Sequence, residues 1–289
     1  MKVGSYSVQA IQAERFRLDG GAMFGVVPKP LWSKQHAADE RNRIHMVTRC
    51  LLIRGEGRVV LVDTGMGQGW SDKERDIYAI ENGDRFIENS LTAQGVNAAD
   101  VTDVILSHLH FDHAGGAVTR RAGALEATFP NARYHVQQQH LAWALGPTQR
   151  DRRSFRPETF LPLRDTGRLV LARGKEEILP GIFVEPTAGH TISHQIVRIG
   201  EGEGSVVYCG DLIPMAAHLP SAWVMGYDLY PLTTMREKAD LLERAAAGGW
   251  LLVFEHDPDV EAARVDRAKG QFVMAEAVSL DGPASGSGR

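Results

Sequence analysis

The chain has 289 residues, 43% of them hydrophobic and 24% charged, which excludes an intrinsically disordered chain. Lys and Arg total 32 and Asp and Glu total 36, a formal charge of −4 without the basic excess expected of a nucleic-acid binder. No apolar run reaches the roughly 20 residues that cross a bilayer, and two distant cysteines, Cys50 and Cys209, are too few for a disulfide framework and fit a reducing cytosol.

In chain order, the first residues lack a basic stretch followed by an apolar one, so no secretory leader is expected and the protein is expected to be cytoplasmic. Residues 46–54 and 58–63 read as a hairpin joined by Gly55, Glu56 and Gly57. Residues 84–94 read as a helix with Phe86, Ile87 and Leu91 on one face and Gly95 as its stop. Residues 104–106 form a short buried strand. Residues 132–136 form another, followed by a helix through Leu145 that Gly146 and Pro147 end. Strands follow at 168–172 and 182–185, then a second hairpin at 195–199 and 205–209 around a Gly-rich turn. Residues 233–247 read as helical, with Thr234 as N-cap, Glu237 three residues on and Gly248 and Gly249 at the end; 250–254 is a buried strand. Residues 281–289 are Gly/Ser-rich and read as a flexible tail, leaving 1–280 as a single domain. This mixture of hairpins and strand–helix alternation predicts an α/β layered domain.

The chemistry collects at strand ends, where a rigid sheet presents functional groups. After the strand at 104–106 come His108, His110, Asp112 and His113. Side chains alternate along extended chain, so His108 and His110 point to one side, and a turn brings Asp112 and His113 toward a second centre. Ala114, Gly115 and Gly116 suit a tight turn into a helix. His190, Asp211 and His256 each follow another apolar strand. Gly65, Gly67 and Gly69 do not make a dinucleotide loop, because the spacing fails at Trp70.

These residues resemble the metallo-β-lactamase-fold hydrolases. The family signature His-x-His-x-Asp-His matches His108, His110, Asp112 and His113; its later His, Asp and His match His190, Asp211 and His256. Its early strand-end motif matches Leu61, Asp63 and Gly65. The resemblance implies an αββα sandwich of two mixed sheets flanked by helices. It also implies a site for two divalent metal ions, with His108, His110 and His190 on one, Asp112, His113 and His256 on the other, and Asp211 bridging. The His-rich set suits Zn²⁺, while imidazole and carboxylate also accept iron, manganese or cobalt. Asp63 is read as orienting a ligating imidazole. His194 either supports the His190 loop or caps the next strand.

Residues 19–32 and 221–231 resemble the probable quorum-quenching lactonases, relatives of the N-acyl-homoserine-lactone lactonases. That narrower resemblance implies hydrolysis of a small-molecule lactone by a metal-bridging hydroxide, with Asp112 relaying a proton and Asp211 fixing the bridge; charge and the apolar runs lead to the expectation of no nucleic-acid or membrane partner. It leaves a homodimer open. Met23, Phe24, Trp32, Trp223 and Met225 are expected to line an acyl channel. One departure stands out. Those lactonases carry a Tyr three residues after the bridging Asp, where this chain has Pro214. His218 and Tyr227 are the replacements nearest in sequence, and His218 is assigned the catalytic role. The same site also serves glyoxalase II-like thioesterases and phosphotriesterases. Di-iron redox relatives carry Glu where this chain has His110.

Overall fold

In the computed structural model, residues 1–81 and 86–280 are described. In chain order the first strands are β1 (Lys2–Val3), β2 (Tyr6–Asp19), β3 (Arg43–Gly55), β4 (Arg58–Val62) and β5 (Asp103–Ile105). A small hairpin, β6 (Val118–Arg121) and β7 (Ala124–Ala127), precedes β8 (Arg133–Gln137) and β9 (Leu169–Ala172). The second half contributes β10 (Glu176–Leu179), β11 (Ile182–Thr187), β12 (His194–Ile199), β13 (Val206–Tyr208), β14 (Leu251–Val253), β15 (Ala262–Ala268) and β16 (Gln271–Val278). Among the described residues, one seven-stranded sheet runs β1-β2-β3-β4-β5-β8-β9 and a second runs from β10 to β16 in order. The helices are α1 (Gly20–Phe24), α2 (Lys29–Trp32), α3 (Asp72–Tyr78), α4 (Ile87–Ala93), α5 (Phe111–Ala114), α6 (Gln138–Leu145), α7 (Leu161–Asp165) and α8 (Pro231–Gly248).

Alternation along the strands builds the layers. Val60 and Val62 on β4 face the second sheet, where they join Val184, Val197, Val206 and Val253 in the central core. Leu61, between them, faces outward with Cys50, Leu52 and Val104 and packs under Leu91 of α4 and Leu141 of α6. On the far side, Val207, Cys209 and Leu252 pack under Leu241, Leu242 and Ala245 of α8. Strands buried on both faces read as continuous apolar runs, which is why β4, β13 and β14 were visible in the sequence. The architecture is the αββα sandwich expected from the resemblance.

Several expectations are corrected. The N-terminal strand β2 escaped notice because a register shift between Gln12 and Arg15 breaks its alternation. Upstream, Tyr6, Val8 and Ala10 enter the central core and Ile11 the outer one; Ala13, inside the shift, also enters the outer one. The hairpin β15–β16 was missed because β16 is largely exposed and carries little apolar periodicity. Helix α4 starts at Ile87; residues 84 and 85 of the expected helix, and the tail at 281–289, lie outside the described residues. Helix α8 starts at Pro231 with Tyr230 at its N-cap, so Thr234 is an interior residue and not the cap. A proline at the first helical position sacrifices no hydrogen bond. No helix among the described residues is long and apolar enough to cross a membrane.

The sheets are mixed. β4, β5, β8 and β9 run parallel, as do β13 and β14. The segments after β4, β5, β13 and β14 therefore leave the sandwich at its carboxyl-terminal edge, where open α/β sheets place their ligands.

Candidate metal centre

Seven ligand-type side chains meet at that edge. The ligand atoms of His108, His110, His190 and Asp211 lie within 4.8 Å of one another, as do those of Asp112, His113 and His256. Asp211 reaches toward both groups: its Oδ2 is 3.2 Å from His190 Nε2 and its Oδ1 is 3.2 Å from His256 Nε2. All seven residues are buried.

Second partners settle which ring nitrogen faces inward. Ser107 Oγ donates to Asp63 Oδ2 at 2.6 Å and sits 3.0 Å from His108 Nδ1, whose N–H it can accept. His190 Nδ1 donates to Asp228 Oδ1 at 3.0 Å, and His256 Nδ1 to the Val47 carbonyl at 2.9 Å. His113 Nδ1 lies 3.0 Å from Asp63 Oδ2 and 2.8 Å from Glu255 Oε2. In the neutral ring each inward nitrogen then presents a lone pair. The Nε2 atoms of His108, His113 and His256 are buried without a hydrogen-bond partner, as is Asp211 Oδ1. His110 Nδ1 lies 3.2 Å from His190 Nε2, so two ring nitrogens converge on one point. Buried polar atoms are costly when unpaired; a cation at each group satisfies them, so the donor set fits divalent metals.

The electrostatics favour cations. Burial alone lowers an imidazole, but at His113 it is outweighed by Glu255, Asp211 and Asp112, which hold the ring well above its ordinary value. At His256 the same contest, won mainly by Asp211, raises the ring to about 9. Burial, followed by neighbouring imidazoles, lowers His108 and His110 well below theirs.

The supporting residues were only partly foreseen. Asp63 contacts the His113 ring, its Oδ2 lying 3.0 Å from Nδ1. His194 opens β12, so it stands where the next strand begins; its Nε2 accepts from Asp211 N at 3.1 Å and its Nδ1 lies 2.8 Å from Thr187 Oγ1 at the end of β11, so it braces the chain on both sides of the centre. His140 accepts from Leu109 N at 2.8 Å and so pins the chain between His108 and His110. Glu255, Asp228 and Ser107 were missed; Glu255 adjoins His256, and Ser107 adjoins His108, the only signal available. Glu237 accepts from Ala188 N at 2.8 Å and Gly189 N at 3.0 Å, fixing the His190 loop to α8. Gly189 is obligatory there, because a Cβ would fall 2.3 Å from Thr234 N. Gly115 and Gly116 do not turn the chain into a new α-helix; they follow α5 and form a 3-10 turn, Gly115–Ala117. A Cβ on Gly115 would lie 2.1 Å from Met66 O, so close contact between the two loops is what demands glycine.

A cavity of about 340 Å³ opens over the centre. Leu18, Met23, Met46, Phe111 and Met225 form its apolar side; Tyr227, Asp112 and Asp211 are among its polar residues. Met23 and Met225 are where the sequence placed them. Phe24, Trp32 and Trp223 do not line it; Phe24 stacks behind on Trp32 and His218, with ring centroids 5.5 Å and 4.8 Å apart. His218 also lies outside the cavity. Its Nε2 is 2.8 Å from the Met23 carbonyl, and burial pushes its ring down to about 3. A neutral imidazole tied to that carbonyl braces α1 and does not face a substrate, which corrects the catalytic assignment. Tyr227 does face the cavity. Burial and then the Asp112 charge keep its phenol above the ordinary value, so it stays protonated.

Comparison with known proteins agrees with this construction. Residues 45–256 match the metallo-beta-lactamase superfamily. A probable metallo-hydrolase of Mycobacterium tuberculosis is 26% identical over 254 residues, covering 78% of this chain and 79% of that protein. An N-acyl homoserine lactonase of Bacillus thuringiensis is 30% identical over 169 residues, 55% of this chain and 60% of that protein. Among solved structures, a probable metal-dependent hydrolase from Staphylococcus aureus superposes with a TM-score of 0.85 at 32% identity, covering 96% of this chain and 100% of that one. AidC, a dizinc quorum-quenching lactonase, shares the fold with a TM-score of 0.79 at 18% identity, over 97% of each chain. The protein belongs to the metallo-β-lactamase superfamily of metal-dependent hydrolases.

Proposed function

We propose that the protein is a lactonase, opening the ring of an N-acyl-homoserine lactone or a related lactone. One observation carries the reading: two imidazole-rich groups share Asp211 at the floor of a cavity that is apolar on one side and carries a phenol, Tyr227. His108, His110 and His190 would hold one divalent cation and Asp112, His113 and His256 the other, with Asp211 between them; zinc suits these donors. Two such cations supply Lewis-acid polarisation of a carbonyl and a water acidified toward neutrality. The chain's residues do the rest. The methionine-lined side binds the acyl portion, and its flexible thioethers adapt to chain shape. Tyr227 Oη donates to the carbonyl oxygen as charge develops there, which takes over the task left by Pro214. As the water oxygen bonds to the carbonyl carbon and the ring C–O bond breaks, Asp112 accepts the water's proton and returns it to the ring oxygen. The product is an open-chain hydroxy acid.

The test is a substrate panel with metal-loaded protein: short- and long-chain homoserine lactones, simple γ-lactones, an S-acyl thioester and an aryl phosphotriester. Acid release should be fastest with a lactone. Faster thioester or phosphotriester turnover would reassign the substrate while leaving the centre in place.

A further inference from the structure

Three hydrogen-bond donors in the cavity have no task in the reaction just described. Tyr78, at the end of α3, and Arg153 and Ser154, in the loop between α6 and α7, all line it. Among the described residues, the Tyr78 hydroxyl, the Ser154 hydroxyl and the Arg153 guanidinium have no hydrogen-bond or ion-pair partner. Phe111 gathers them. Its ring lies 5.2 Å from that of Tyr78, and its N–H donates to the Ser154 carbonyl at 2.8 Å. All three line the same cavity as Asp112 and Asp211, which puts them on the reacting side of the molecule; burial, then the charges of Asp112 and Glu74, raise the Tyr78 phenol, and Arg153 opposes them.

The other charged groups around the cavity are committed. Arg150 donates to the carbonyls of Gly226 at 2.5 Å and Asp228 at 3.2 Å. Asp151 accepts from Trp143 Nε1 at 2.7 Å and Thr148 Oγ1 at 2.6 Å. Asp112 and Asp211 face the metal centre. Arg153 is thus a cation lining the cavity with no ion-pair partner among the described residues, and the hydroxyl-bearing Tyr78 and Ser154 line the same cavity. A guanidinium with two O–H donors matches the oxygens of a carboxylate or phosphate, and charge-assisted hydrogen bonds are the stronger kind.

We infer that Tyr78, Arg153 and Ser154 form an anion subsite, and that the preferred substrate carries a carboxylate or phosphate close to its scissile carbonyl. This rests on the lactonase reading and narrows its substrate class. Arg153 is exposed, so salt should weaken the preference.

The experiment compares kcat/KM of the metal-loaded enzyme on γ-butyrolactones whose γ-substituent is a carboxylate, a phosphomethyl group or a neutral carboxamide. The wild type should prefer one of the anionic lactones, and which one identifies the anion. Arg153→Gln should lower the anionic-to-neutral ratio about tenfold, Tyr78→Phe should lower it less, and Arg152→Gln, outside the cavity, serves as the control. No anionic preference in the wild type, or a ratio that Arg153→Gln does not move, overturns the subsite. If no lactone of any charge is hydrolysed, the lactonase reading fails separately. Calorimetric titration with tetrahydrofuran-2-carboxylate and its carboxamide then decides the subsite without turnover: weaker carboxylate binding in Arg153→Gln supports it, and equal binding refutes it.

Discussion

Asp211 is the residue on which the centre turns, since its two oxygens lie 3.2 Å from one imidazole of each group. Asp211→Asn keeps the shape but removes the shared charge. Turnover of every substrate should fall about 100-fold or more, with metal content measured alongside to show whether one ion or both are lost. Tyr227→Phe should lower kcat about 100-fold with little change in KM, because its hydrogen bond strengthens only as carbonyl charge develops; an equal effect on KM alone would make Tyr227 a binding residue. Glu14 makes a different point. It is buried, and it accepts from Thr48 Oγ1 at 2.7 Å, Met66 N at 3.0 Å and Gly67 N at 3.1 Å, tying β2 to the loop beneath the centre. Burial outweighs those donors and raises its carboxyl from 4.5 to about 7. The folded protein therefore holds this proton more tightly than the unfolded chain. That contribution to stability is complete below pH 4.5, is lost as pH rises to about 7, and is flat above it. Urea titrations of the wild type and Glu14→Gln across this range should show their stability difference falling by up to about 3 kcal/mol; a constant difference would contradict the raised value.

At the scale of elements, α8 organises one side of the site. Lys238 is buried and donates to the carbonyls of His218 at 2.9 Å, Pro220 at 2.9 Å and Trp223 at 2.8 Å, capping the loop that leads to Met225, Tyr227 and Asp228. Lys238→Met leaves three carbonyls without their donor. It should cost about 2–4 kcal/mol of stability and loosen Asp228, the partner of His190, so that thermal midpoint and metal retention fall together. A normal midpoint would show that the loop holds itself. The legibility of the sequence divides along the same line. His108, His110, Asp112 and His113 were readable because adjacent positions carry the pattern, and β4, β13 and β14 because they are apolar on both faces. Lys238, Glu237 and Asp228 were not, because each acts on a residue far away in sequence. His218 misled because proximity in sequence to Asp211 is not proximity to the cavity: the intervening turns carry it behind Met23.

Across the whole molecule, two sheets contribute one group of ligand-bearing loops each. His108, His110, Asp112 and His113 follow a strand of the first sheet, whereas His190, Asp211 and His256 follow strands of the second. Cations held between them therefore join the two halves of the sandwich, and binding to the folded state alone stabilises it by mass action. Chelation should lower the thermal midpoint while leaving the far-ultraviolet dichroism native below it, since the central core of Val60, Val62, Val184 and Val206 does not involve the centre. The most direct measurement is the metal-to-protein ratio of active enzyme, by elemental mass spectrometry, paired with turnover. Two transition ions per chain, with activity lost on their removal and restored on their return, is the predicted result; full turnover in protein stripped of metal would contradict it.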